Sequence, residues 1–361
     1  MVMTNGKKVL IIATTPLQQD GISKVILDSY NIGGNANYIV DIASGQIPDE
    51  SYNVFIRNAS IRYFQLPDRN HKLFSYIFAL KKLCKNNSYD VVHVHGNSAL
   101  MAFDVFASWL GGVKKRIAHS HNTMTDHRVI NALLKPLLNV LVTDKVACSI
   151  AAGEWIYSKP YSVVLNGIPI DDFRFDPRIR HIKRRELGFD NELVIGHVGR
   201  FSYAKNHEFL IDVFTEVVKR NSNCRLLMIG NGANVDAVMS VLRQRGLSDK
   251  AIWLSSSSEV NQLMQAMDVF VLPSRFEGLP IVAIEAQASG LPCLLSNAIT
   301  LESKVTNECH FLSLNDKDSW VEYVLNYYNH NVDKRFDGAD CVRKAGFDFN
   351  DFCKEISELW Q

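Results

Sequence analysis

Short β-branched runs alternate with longer stretches of helical periodicity along the chain. Apolar residues that recur at every second position, or in tight runs, predict strands, and a three-to-four-residue spacing predicts helices. In the first half the runs "KKVLIIATT", "YNVFIR", "DVVHVHG", "RIAHSH", "KVACSI" and "SVVLNG" predict strands. Helical patterns cover "FSYIFALKKLCKN" (74–86) and "SALMAFDVFASWLGG" (98–112). A Pro- and Asp-rich interruption over 166–180 then breaks the pattern, and it restarts beyond. "LVIGHVGRF", "CRLLMIGNG", "AIWLSS", "DVFVLPS" and "LPCLLSN" predict strands, with helices over "NHEFLIDVFTEVVKRN" and "SEVNQLMQAM" between them. Strands that alternate with helices build βαβ units and parallel sheets. The expected fold class is therefore α/β, with two doubly wound parallel-sheet domains, 1–167 and 168–346, facing across a cleft. Ligands of such sheets bind beyond the carboxyl ends of the strands.

Composition narrows the class. Of 361 residues, 47% are hydrophobic and 21% charged, which fits a globular protein and excludes a disordered or fibrous chain. The net charge of +1 is unevenly spread, because residues 1–165 hold 17 Lys and Arg against 11 Asp and Glu. A basic first half points to a polyanion or an anionic membrane surface near it, or to an imbalance on solvated faces. Seven cysteines without CxxC spacing read as reduced, buried thiols. No secretory signal and no run of about 18 apolar residues is present, so the expected location is cytoplasmic, without a spanning helix.

Chemistry concentrates in "PSRFEGLPIVAIEAQASGLP", residues 273–292. Pro280 fits the first position of a helix and Gly290 a place just past its end. Glu277 then lies in the preceding loop and Glu285 inside the helix. Between them, the amides of Gly278 and Leu279 leave a helix N-terminus, which suits an anion. Two carboxylates repel a phosphate unless each faces a neutral, hydroxyl-rich group beside it. A sugar nucleotide has that layout: the helix terminus takes the diphosphate, Glu277 the sugar and Glu285 the ribose diol. The other reading is a surface glutamate and an ordinary helical one. "GHVGRFSYAKNHEFLI" adds Arg200 and Lys205 at the two ends of a loop on the same sheet edge, with a helix starting near Asn206. Two cations there neutralise a diphosphate and assist its departure, and Gly199 permits close approach of the backbone to a ligand.

These stretches resemble family 4 of the retaining glycosyltransferases, enzymes of the GT-B fold, which has two Rossmann-like domains. "IAHSHNT", "NGI", "IGNG" and "AMDVFVLPS" fall in the family's order, and nearly the whole chain takes part. The branch it most resembles serves bacterial exopolysaccharide and capsule assembly. The resemblance implies a nucleotide-sugar donor, Glu277 and Glu285 as the family's two acidic positions, and Arg200 and Lys205 as its phosphate-binding pair. It implies that His121 touches the donor sugar, that the Gly21 loop lies near the leaving phosphate and acceptor, and that helix 347–361 packs back on the first domain. It also implies a front-face mechanism in which the leaving phosphate takes the acceptor's proton. The expected acceptor is a glycan, in particular a lipid-linked oligosaccharide, and nucleic acid is not an expected partner. One departure is Ser255–Ser258, where the family pattern has a glycine before the acidic residue; this puts the base preference, UDP by expectation, in doubt.

Three rivals stay open. Pairs His93/His95 and His119/His121 lie two apart on strands, so each pair shares a face. They suit the metal site of a hydrolase, or hydrogen-bonded positions at strand ends. A sugar-nucleotide epimerase or a non-catalytic binding protein shares the phosphate site. Asp316 and Asp318 have metal-binding spacing but precede a helical pattern, which favours capping. No cofactor and no metal is expected. Residues 127–142, "HRVINALLKPLLNVLV", suit either a membrane interface or a core helix kinked at Pro136.

Overall fold

Each paired strand in the computed structural model runs parallel to its neighbours, and the strands form two sheets. The structure describes residues 6–18, 20–35, 38–123, 128–327 and 332–361. The chain divides into two compact units, Met1–Asn166 with Asn350–Gln361, and Gly167–Phe349.

The first unit holds β1 (Lys7–Ala13), β2 (Tyr38–Ser44), β3 (Tyr63–Gln65), β4 (Val91–Gly96), β5 (Lys115–Ser120), β6 (Asp144–Ala147) and β7 (Ser162–Val163). Their spatial order is β3-β2-β1-β4-β5-β6-β7. The sheet therefore reverses its direction of growth between β1 and β4, which creates a crevice at their carboxyl ends. β4 is buried along its whole length, because helices cover both faces of a parallel sheet. Helix Phe349–Leu359 returns to this unit. Trp360 is fully buried there; its indole donates to His93 Nδ1 at 3.2 Å and its ring meets Tyr38 edge-on.

The second unit holds β8 (Leu193–Val198), β9 (Cys224–Ile229), β10 (Ala251–Leu254), β11 (Val269–Leu272), β12 (Cys293–Ser296) and β13 (Cys309–Leu312), in the order β10-β9-β8-β11-β12-β13. Here the reversal falls between β8 and β11. Phe201, Phe214, Leu226, Val269, Val271 and Trp320 fill the core on one face.

Two expectations need correction. "YNVFIR" is not a strand but part of helix Glu50–Asn58. Asp49 caps it by accepting from the Tyr52 amide at 3.0 Å, and Val54 and Phe55 face solvent, where no sheet covers them. The second strand is instead "YIVDIAS", paired along its length with β1. Pro280 occupies the cap position rather than the first helical one, so the helix is Ile281–Ala288; Gly290 follows it with φ +66°. The seven cysteines are free thiols, five of them buried. Asp316 caps helix Lys317–Asn326 through the Ser319 amide. No helix among the described residues is long and apolar enough to cross a membrane.

Gly230 shows how tightly the β8 and β9 loops meet. Its φ is +140°, and a Cβ there would lie 2.1 Å from the Gly199 carbonyl oxygen. Gly230→Ala is expected to lower the unfolding free energy by more than about 2 kcal/mol, through strain and the backbone clash together. Gly188→Ala, at φ +68° with open space around the new methyl, costs about 1 kcal/mol. Urea denaturation of both variants checks this, and equal small losses contradict the packing.

Candidate active site

The loops after β8 and β11 meet at the reversal point of the second sheet. The first loop carries Gly199, Arg200, Lys205 and Asn206; the second carries Glu277, Gly278 and Leu279 and runs into helix Ile281–Ala288. Lys205 Nζ lies 2.6 Å from Glu277 Oε1 in a largely buried ion pair, and the Ser274 hydroxyl donates to the same oxygen at 2.8 Å. Arg275, which sequence reasoning passed over, fastens the two loops together. Its amide donates to the Ala204 carbonyl at 2.7 Å, its guanidinium to the Tyr203 carbonyl at 2.8 Å, and the group stacks 4.2 Å from the Tyr203 ring centre. The basic residue directly after "PS" was the available signal, but its target depends on which strands are neighbours.

Gly199 also has a packing role. A Cβ there would come within 3.0 Å of Lys205 Cε. The missing side chain makes room for the lysine stem. His197 approaches the same spot. Its Nδ1 donates to the Val271 carbonyl at 2.8 Å, tying β8 to β11 and leaving Nε2 as the acceptor. Asn206 is buried in a left-handed conformation, φ +57°, just before helix His207–Arg220. His207 stacks on Phe201, with ring centres 3.9 Å apart. Burial lowers the pKa of His197 to about 4 and of His207 to about 2, with nearby Lys205 a smaller cause. Both rings are neutral at pH 7, and the only cations at this edge are lysine and arginine. Arg200 is exposed on the same loop, and Glu285 is half-buried one turn into the helix. Ser255–Ser258 follow β10, at the sheet edge two strands from β8.

Gly21 and His121 belong to the first unit. Gly21 opens helix Gly21–Asn35, beyond the loop that leaves β1 at the reversal point. Asp20 caps that helix by accepting from the Ser23 amide at 2.9 Å. His121 follows β5, and its Nε2 pairs with His95 Nδ1 at 2.9 Å. His93, His95, His119 and His121 crowd one face of β4 and β5, all buried. Burial is the largest cause that holds every one of them below the usual histidine range, His93 and His121 at about 3. The Trp360 indole only donates, so His93 carries its proton on Nε2. His93, His95 and His119 bring ring nitrogens within 4.8 Å of one another. His93 and His119 stack with planes 3° apart and centres 5.5 Å apart. Burial keeps all four rings neutral.

Sequence models of two families match the chain. "Glycosyltransferase Family 4" covers residues 30–172 and "Glycosyl transferases group 1" residues 179–335. The chain belongs to the group 1 glycosyltransferases. Its two parallel-sheet units are the GT-B fold. Among the relatives of this glycosyltransferase is "Putative glycosyltransferase EpsF" of Bacillus subtilis, 26% identical over 82% of this chain and 81% of its own length. Another is an Escherichia coli enzyme named as a UDP-Gal:alpha-D-GlcNAc-diphosphoundecaprenol alpha-1,3-galactosyltransferase, 26% identical over 90% and 91%. HepE of Anabaena in complex with UDP superposes with a TM-score of 0.80 at 18% identity, over 97% of this chain and 98% of that one. That last likeness concerns the fold alone. A glycosyltransferase assignment sets aside the hydrolase reading of the histidine pairs.

The buried histidines set the acid stability of this glycosyltransferase. Folded pKa values lie below the ordinary 6.5, so the unfolded chain takes up protons first. Stability is full above pH 6.5 and falls as the pH drops toward the folded values. Each such group contributes up to about 1.4 kcal/mol per pH unit in that window. Urea midpoints taken from pH 7.5 to 5.5 should fall steadily; a flat profile contradicts the neutral, buried state of the rings.

Proposed function

We propose that this glycosyltransferase moves a sugar from a UDP-sugar to a lipid-linked glycan during exopolysaccharide or capsule assembly, with retention of anomeric configuration. The Lys205–Glu277 pair at the reversal point of the second sheet carries this reading. It sets an ammonium against the loop that leads into helix Ile281–Ala288, beside a carboxylate able to hold hydroxyl groups. Complexes of HepE with UDP and UDP-glucose, and the undecaprenol-linked substrate in the name of the E. coli relative, support the choice of donor and acceptor. The names of EpsF and of the Staphylococcus aureus capsular relative CapH support the pathway class.

In this reading the diphosphate lies between Lys205, Arg200 and the amides of Gly278 and Leu279. As the bond from the anomeric carbon to the β-phosphate oxygen breaks, charge grows on that oxygen. Fixed cations and amide dipoles stabilise it without reorganising. Glu277 shares Lys205 with the phosphate and holds donor-sugar hydroxyls; Glu285 holds the ribose diol. The acceptor hydroxyl attacks from the face the phosphate leaves, and the departing phosphate takes its proton. Asn206 shapes the turn that presents Lys205. His121 and the Gly21 loop keep the donor-sugar and acceptor roles that the family resemblance implies. The reaction proceeds without a metal ion, because the lysine, arginine and helix terminus already supply the positive charge.

Labelled nucleotide sugars, offered with and without membrane-lipid extract, separate the readings. Release of nucleotide that depends on acceptor is expected; rearrangement of the sugar without acceptor indicates an epimerase, and binding alone a non-catalytic protein. Lys205→Ala is expected to cut kcat on the order of a hundredfold or more, and near-normal turnover removes Lys205 from the mechanism. Glu285→Ala should mainly weaken donor binding. An unchanged donor Kd by calorimetry refutes the ribose assignment.

A further inference from the structure

Helix Arg128–Leu141 is turned the wrong way round for a core helix. Asn131 and Leu138 are its buried residues, while Val129, Leu133 and Val140 are 73%, 73% and 80% exposed. With Leu137 these residues form a stripe at three-to-four-residue spacing along the outer side. A helix packed on a sheet ordinarily puts such a stripe against the core. The apolar surface does not stop at this helix. Helix Met101–Leu110 packs beside it and exposes Trp109 and Leu110. Helix Leu73–Asn87 packs on the other side of Met101–Leu110 and exposes Phe74 and Phe78, 79% and 68%, one turn apart. Scattered single apolar residues are ordinary on a surface; a face shared by three neighbouring helices marks an interaction site.

The charges on these helices identify the occupant. Lys81, Lys82, Lys85, Arg128 and Lys135 are the cations, and Lys114 follows in the next loop. The sole acidic residue of the three helices is Asp104, fully buried and paired with Arg69 and Tyr76. The three helices thus expose apolar side chains and cations, with Lys135 seated over the Trp155 ring, and carry no exposed carboxylate. A partner protein or a second copy of this chain would bring charges of both signs to pair with; a bilayer of anionic lipid offers acyl chains below a uniformly negative headgroup layer. Aromatic and long aliphatic side chains with lysines at their edge are what such an interface takes.

We infer that the outer face of helices Leu73–Asn87, Met101–Leu110 and Arg128–Leu141 docks the first unit on an anionic lipid bilayer. This deepens the proposed use of a lipid-linked acceptor, but vesicle binding needs neither donor nor acceptor, so the two readings fail separately. The full chain is floated with vesicles of phosphatidylcholine alone and of phosphatidylcholine with 30 mol% phosphatidylglycerol. Binding to the anionic vesicles is expected, at least tenfold weaker to the neutral ones and weakened by salt. Leu133→Ser with Val140→Ser, or Lys82→Glu with Lys85→Glu, each lowers anionic-vesicle binding about tenfold or more. All four side chains are surface ones, and circular dichroism checks that the variants remain folded. Absence of binding to anionic vesicles, or binding that is equal for both compositions or unchanged in both variants, overturns the inference. A dimer seen by sedimentation and abolished by the Leu133→Ser/Val140→Ser pair overturns it too, since the face would then belong to a second copy.

Discussion

Lys205 and Glu277 face each other across two loops of strands that are neighbours only because the second sheet reverses direction between β8 and β11. An ion pair that is mostly removed from water gains little net stability, since desolvation offsets the attraction. Its value lies in position. Gly199 leaves room for the lysine stem, and Arg275 ties one loop to the other. The ammonium is therefore held in place before an anion arrives, and stabilising charge that is already in place does not have to reorganise during a reaction.

The two units use the same topological device for different chemistry. In the first, the reversal falls between β1 and β4, and the Thr14 amide binds the His95 carbonyl across it. Next to that crevice stand four imidazoles that burial keeps neutral, rather than an exposed set of cations. Neutral rings offer one donor and one acceptor each, and His95 uses one of these to pair with His121. In the second unit, burial likewise keeps His197 and His207 neutral, and the charge at the reversal point comes from Lys205, Glu277 and Arg200.

Much of this was legible in the sequence. Strand-and-helix alternation gave away the parallel sheets, and the restart after residue 166 the second unit. Lys205 and Glu277 could be placed on one sheet edge from their position just after strands. Their mutual contact could not be read, because periodicity does not encode strand order; the same holds for the clamp made by Arg275. The packing of Gly199 against the Lys205 stem was hidden for a related reason, since a glycine's neighbours are set by the loop's path. "YNVFIR" has strand-like composition, but Asp49 starts a helix there, and local capping outweighed β-branching. The four-histidine cluster was visible as two spaced pairs. Their packing into one cluster emerged only from the register of β4 with β5.

The central claim is that the reversal point of the second sheet is a diphosphate site organised by Lys205. A crystal structure with UDP bound tests it most directly. The account predicts diphosphate oxygens within hydrogen-bonding distance of Lys205 Nζ and of the Gly278 and Leu279 amides, with the ribose hydroxyls at Glu285. Nucleotide bound elsewhere, with the Lys205–Glu277 pair undisturbed and no phosphate beside it, would contradict it.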